Sequence, residues 1–525
     1  MAKKTTGKSE KKGLRIVKIV ALILALVIVL GMFITYKIVE SGIIQRNTVA
    51  AESEHFKVTV PMLTYYFNAM YQNYANQSNG ALLQYMGLDA TKSLKAQNYT
   101  TGQTWYDYFM DLTKNQVQNI LVLAEAARAK GLELTEDQKK EIDELIADFD
   151  AYAKQYGYSN TDQFVQRAYG PSVRAKDVRA CLELSYLADA YSEYLVGTYE
   201  YTEADWDAYF EENEQSYLKV DFLSYTFKAE EKKDDKKDDK DDKDKKDADK
   251  DEDSKKPSED AAVLKGYADE LAATKNDEEF KKYIADYVLN VRYDGDAAAM
   301  TEDKVDPAEE AEKCLTEGRT AATESDFNTW AFDEKRSAYD VFTDYDDEKE
   351  TYTVYMILPA KDYSDLDSAC VYRDAYALQN YRYMQVDLDD VKDDAKAAED
   401  IAKKFVSSLE EKGNTEEAFE ELTSETSTGV HYGNPENADK GALADCVDEW
   451  VFDAARKEGD ITTVHDSDAY YVLYYQGEGA VKWQYNVDNA LKNAQYTEDV
   501  AELTADTTVT FQTRGLAMVQ EIPRG

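Results

Sequence analysis

Trp330-Ala331-Phe332-Asp333-Glu334-Lys335-Arg336 recurs 120 positions later as Trp450-Val451-Phe452-Asp453-Ala454-Ala455-Arg456, and beyond each arginine stands Asp340-Val341 or Asp460-Ile461. Each copy then leads through a polar turn into an aromatic, apolar run: Tyr352-Thr353-Val354-Tyr355-Met356-Ile357-Leu358 in the first, Tyr470-Tyr471-Val472-Leu473-Tyr474-Tyr475 in the second. So many matched positions at fixed spacing, with the same helix-turn-strand sequel, mark an internal duplication of roughly 120 residues. The C-terminal half is therefore expected to hold two homologous modules, at 217–362 and 368–480.

With 525 residues the chain has length for several cores. Lys and Arg number 61 against 105 Asp and Glu, a net charge of -44 that repels phosphate backbones and argues against a nucleic-acid partner. Three histidines against 41 tyrosines leave little material for proton transfer near neutral pH. The four cysteines, Cys181, Cys314, Cys370 and Cys446, show no CxxC spacing. Small buried core positions and a pairing in an exported protein both remain open for them.

The N-terminus carries seven basic residues up to Lys18 and then an uncharged run from Ile19 to Tyr36. A helix over 16–36 would be roughly 30 Å long, enough to cross a bilayer. Basic residues before it and an acidic chain after it predict a single-pass signal anchor within 1–40, in the cell membrane, with the N-terminus cytoplasmic and the bulk extracytoplasmic. A cleaved signal peptide is the competing reading, through Val49-Ala50-Ala51, although the apolar run is longer than such peptides use.

Alternation at Phe56–Val60 predicts a strand, and Pro61 suits the first turn of a helix over 62–74. Residues 76–103 read as an irregular insertion. Apolar stripes at helical spacing, with Gly131 as a stop and Thr135 as a start, then predict a multihelical domain over 55–215. A strand over 217–227 opens the first module. Between Glu230 and Asp260 stand 16 acidic residues and 11 lysines with no aromatic or branched aliphatic residue, so 230–260 is expected to be a disordered insert. Helices are predicted at 263–274 and 278–287. The second module is expected to carry strands near 370–378 and 381–388, helices at 393–412, 415–423 and 445–457, and a strand at 470–475. In the tail, 487–492 and 498–505 read as helical, and 509–511 and 515–519 as extended. Residues 481–525 are expected to return to the strand at 56–60.

This order resembles extracytoplasmic foldases of the PrsA/SurA type, with a SurA-like helical domain and two parvulin-like peptidyl-prolyl isomerase modules. Leu121-Val122-Leu123-Ala124-Glu125-Ala126-Ala127-Arg128-Ala129-Lys130-Gly131-Leu132 resembles the family's apolar helix with its glycine stop. Thr202-Glu203-Ala204-Asp205-Trp206-Asp207-Ala208-Tyr209-Phe210-Glu211-Glu212-Asn213 resembles the helix before the first isomerase strand. Ala418-Phe419-Glu420-Glu421-Leu422 and Gly459-Asp460-Ile461 in the second module are similar to parvulins as well. The implied fold class is α+β: a transmembrane helix, a multihelical chaperone domain and two tandem α+β modules.

Parvulin sites pair a histidine in the first strand with one in the last, beside a Cys or Asp and an apolar proline pocket. The resemblance puts Tyr225 and Tyr376 at the first position and Thr353 and Tyr471 at the second, so both modules lack the family histidines. The Cys or Asp position falls near Gly429 in the second module. Phe327 and Val447 stand at the proline-pocket position and, with Tyr225 and Tyr471, are the substrate-binding candidates. His431, His465 and His55 read as solvent-exposed residues. No Ser-His-Asp, glycine-rich phosphate or zinc pattern is present, so no cofactor or metal is implied. The leading expectation is an anchored extracytoplasmic chaperone that binds unfolded or exported polypeptides through non-catalytic modules. An active isomerase with an altered site, and a surface-anchored cell-wall or adhesion protein, are the alternatives. Clients and oligomeric state are not legible in the sequence.

Overall fold

The fold is taken from a computed structural model, which describes residues 43–76, 81–228, 259–392, 394–423 and 429–522. The chain divides into two compact units, one formed by the residues up to Glu200 with those from Lys492 onward, the other by Tyr201–Leu491.

In the first unit, helices Val60–Asn76, Trp105–Lys130 and Ala175–Val196 pack on one another, joined by Glu136–Gln155 and Thr161–Tyr169. Local chemistry sets their ends. The Thr104 hydroxyl accepts from the Asp107 amide while the Asp107 carboxylate accepts from the Thr104 amide, and Gly131 at φ +75 stops the same helix. Thr135 and Gln138 repeat the reciprocal cap on the next helix. Leu63, Phe67, Trp105, Phe109, Val117, Leu121 and Cys181 fill the core.

The tail does return, but to a strand the sequence reading did not place. Thr510–Phe511 pairs with Val49–Glu52, which in turn pairs with Lys57–Thr59. Ala50 and Ala51, read as possible cleavage-site residues, are fully buried in the middle of this sheet. A Cβ on Gly515 would stand 2.5 Å from the Ala50 Cα and from the Val49 carbonyl oxygen. The small residues are thus required by close packing of tail on strand. The expected extended stretch at 515–519 instead begins in the short helix Thr513–Leu516, and the two expected tail helices are one, Lys482–Asp506. Residues 76–103 contain the helix Ala81–Tyr85 and a hairpin, Asn98–Thr100 with Gln103–Thr104.

The membrane reading needs correction. The expected span at 16–36 lies outside the described residues, and no described helix is long and apolar enough to cross a membrane. Even the longest, Trp105–Lys130 and Lys482–Asp506, are amphipathic and carry several charges each. The single-pass anchor, and the cytoplasmic and extracytoplasmic placement drawn from it, are therefore withdrawn, and the described fold is α+β without a membrane-spanning helix. Of the expected insert, 229–258 also lies outside the described residues, while Glu259 and Asp260 open a helix, Glu259–Ala272.

The second unit holds two antiparallel sheets. The first comprises β1 (Lys219–Phe227), β2 (Leu315–Thr320), β3 (Val341–Asp346) and β4 (Thr351–Ile357), in the order β2-β1-β4-β3. The second comprises β5 (Ala377–Asp387), β6 (His431–Gly433), β7 (Ile461–His465) and β8 (Ala469–Val481), in the matching order β6-β5-β8-β7. Helices between the first two strands cover one face of each sheet: Glu259–Ala272 and Asp277–Tyr287 in the first, Ala395–Glu411 and Glu416–Thr423 in the second. The other face takes one short helix, α1 (Asp326–Ala331) or α2 (Asp445–Val451).

The Trp repeat closes α1 and α2 onto their sheets by one set of contacts used twice. Arg336 lies over the Trp330 ring at 5.0 Å and Arg456 over Trp450 at 4.4 Å. Asp340 and Asp460 accept from the amides of Ser337 and Lys457, each at 3.0 Å. The amides of Tyr339 and Gly459 donate to the Ile357 and Tyr475 carbonyls, each at 2.8 Å. Both residues are left-handed, at φ +69 and +87.

Of the expected strand at 370–378 only Ala377 and Leu378 belong to the second sheet, at the start of β5. Cys370 packs with Val220 and Phe222 of the first, and Tyr372 bridges to Lys219. Here the buried Asp221 accepts from the Tyr372 hydroxyl at 2.6 Å and the Gly318 amide at 2.8 Å, and pairs with Lys361 at 2.8 Å. All four cysteines are free.

Candidate functional site

In each sheet the face under the short helix is where the resemblance would put a site. Antiparallel partners directly opposite each other share a face, so the register decides which side chains meet. In the first sheet Tyr225 pairs with Val354, and Thr226 with Thr353. Tyr225 therefore faces the covering helices, against Phe227 at 5.0 Å and Tyr287 at 5.8 Å, and burial pushes its hydroxyl up to about 12. Thr353 lies on the opposite face, its hydroxyl 2.9 Å from that of Thr226. The two expected partners never meet. Phe327 of α1 stacks on Tyr355 at 4.2 Å and meets Phe222 at 4.6 Å, so it fills the core beneath α1 rather than lining an open pocket.

In the second sheet the counterpart of Tyr225 is Met384, opposite Val472. Tyr376 precedes β5, and its hydroxyl donates to Asp439 at 2.5 Å and accepts from Lys482 at 2.9 Å. Tyr471 does face α2, and burial pushes its hydroxyl up to about 12. Val447 of α2 is fully buried against the sheet. Tyr471 stands opposite Gln385, which stands opposite His431 on β6, so these three form one row across β8, β5 and β6. His431 is half-exposed, as a loop residue would be, but its Nε2 lies 3.1 Å from Asp390 and 3.4 Å from Asp387. Sequence reading missed Gln385, Asp387 and Asp390, which lie 41 or more residues from His431. Gly429, at φ +79, borders Asp390.

His465 stacks on Tyr470 at 4.7 Å. His55 Nδ1 lies 2.8 Å from Glu125, whose carboxyl burial would raise but whose bonds from the His55 amide and ring hold below its ordinary value.

The helical unit carries two clefts. One, of about 660 Å³, is bordered by His55, Glu125 and Arg128. The other, of about 1040 Å³, is walled by Phe56, Met62, Leu132, Leu134, Leu184 and Leu187, with Lys57, Arg128, Lys139 and Arg179 among its charged residues. Arg128 borders both clefts and has no ion-pair partner among the described residues.

The sequence matches no protein-family profile and no curated protein.

Proposed function

We propose that the chain is a chaperone of the PrsA/SurA-like kind, holding unfolded polypeptide in its helical unit, with two parvulin-like modules that do not catalyse isomerisation. The observation that carries this reading is the cleft of about 1040 Å³ with its aliphatic and aromatic walls and charged border. That volume stands at the top of the usual range for small-molecule sites and also accommodates several side chains of an extended segment. Apolar walls take side chains of many shapes, while charges at the border tolerate the polar backbone and flanking residues. Non-catalytic modules accord with Tyr225 and Thr353 on opposite faces, Tyr376 outside its sheet, and Phe327 and Val447 buried in packing.

The test is light scattering from a chemically unfolded client diluted into buffer with the purified chain. Suppression of aggregation near stoichiometric ratio is expected, and full aggregation at several-fold excess of the chain would refute the reading. A protease-coupled assay on proline peptides should give the spontaneous rate; acceleration would restore an enzyme.

A further inference from the structure

We infer that the second module carries a divalent-cation site built from Asp387, Asp390 and His431. The three residues come from the end of β5, the turn Asp389–Val391 after it, and the start of β6. One ligand atom from each falls within a cluster whose members lie within 4.8 Å of one another. His431 Nε2 lies 3.1 Å from Asp390 Oδ2 and 3.4 Å from Asp387 Oδ2. Bonds of about 2.0–2.1 Å to a tetrahedral ion hold the ligand atoms roughly 3.3 Å apart, which both histidine–carboxylate separations match, while the two carboxylate oxygens lie within 4.8 Å of each other.

Two features outside the three ligands support the arrangement. Gln385, in the same row as His431, donates from Nε2 to Asp387 Oδ1 at 2.6 Å, which fixes that carboxylate with Oδ2 toward the imidazole. Gly429 allows the chain entering β6 to pass Asp390 closely, since a Cβ there would stand 3.0 Å from the Asp390 Cβ. An imidazole nitrogen with two carboxylate oxygens selects Zn²⁺ or Mn²⁺ over Ca²⁺, which prefers oxygen alone. The ligands are partly exposed, leaving coordination positions for water or a bound polar group. The site does not depend on the chaperone reading.

Isothermal titration of the full chain with Zn²⁺, and separately with Mn²⁺ and Ca²⁺, tests it. One saturable Zn²⁺ site is expected. His431→Ala and Asp390→Asn should each weaken it at least tenfold, and in NMR the imidazole resonances removed by His431→Ala should be those that shift with metal. Both side chains are substantially exposed, so the variants should unfold at the wild-type temperature. Absence of saturable binding would overturn the proposal. So would Zn²⁺ binding that both variants retain, which would place the ion on other acidic surface, or equal uptake of Ca²⁺ at the same site.

Discussion

Gly515 has no room for a side chain, because the Ala50 Cα and the Val49 carbonyl oxygen occupy the space a methyl would need. Gly515→Ala should destabilise the helical unit by about 1–3 kcal/mol, the cost of overpacking against backbone that cannot move aside. A lowered denaturant midpoint with an unchanged slope is the expected readout; an unchanged midpoint would mean that the tail is not packed there. Asp439 makes a second prediction. Burial works to raise its carboxyl, but the bonds from Lys482 and Tyr376 outweigh it and hold it below the ordinary carboxylate value. A depressed value stabilises the fold above the unfolded pKa of about 3.9, and the contribution is lost as pH falls through the folded value. Asp439→Asn should therefore lower stability at neutral pH and shrink the acid-induced loss between pH about 5 and 2, followed by thermal unfolding. At this scale the sequence was least legible. Assigning a strand residue to a face requires the register, and a slip of one position separates Tyr225 from Thr353. His431 reads as a lone polar residue until folding brings Asp387 and Asp390 beside it.

The Trp-x-Phe-Asp-x-x-Arg element was legible because each of its residues has a local task at fixed spacing. The arginine covers the indole, the first aspartate accepts from the turn amides, and the aspartate four residues past the arginine caps the next turn. Local constraints of this kind survive duplication and can be seen without knowing the fold. Arg456→Met should cost about 1 kcal/mol, from the stacking on Trp450 and the partly exposed pairs with Asp453 and Asp460. A shift in tryptophan emission should accompany it. Gly459→Ala should cost about 1 kcal/mol as well, since its φ of +87 disfavours a Cβ although the nearest atom, the Tyr474 hydroxyl, would stand at an ordinary 3.8 Å. The boundary between the modules was misread because Cys370 and Tyr372, which precede β5, serve the first sheet.

At the scale of the whole molecule, the described residues make a helical unit with an apolar cleft and a second unit of two sheets with one strand order. Asp221 ties the first sheet to the segment that leads into the second, through Tyr372, Lys361 and the Gly318 amide. Asp221→Ala leaves the Tyr372 hydroxyl and the Gly318 amide without their acceptor, while Lys361 keeps Glu317 at 2.6 Å, and should cost about 2–3 kcal/mol, measured as a fall in the unfolding midpoint of the second unit. The central claim concerns where an unfolded chain is held. Photo-crosslinking addresses it directly, with a crosslinking residue placed in turn at Leu134, Leu187, Tyr471 and Thr353 and an unfolded client added. The account predicts client adducts from Leu134 and Leu187 in the cleft, in preference to the two sheet positions. Adducts confined to Tyr471 and Thr353, with none from the cleft, would contradict it.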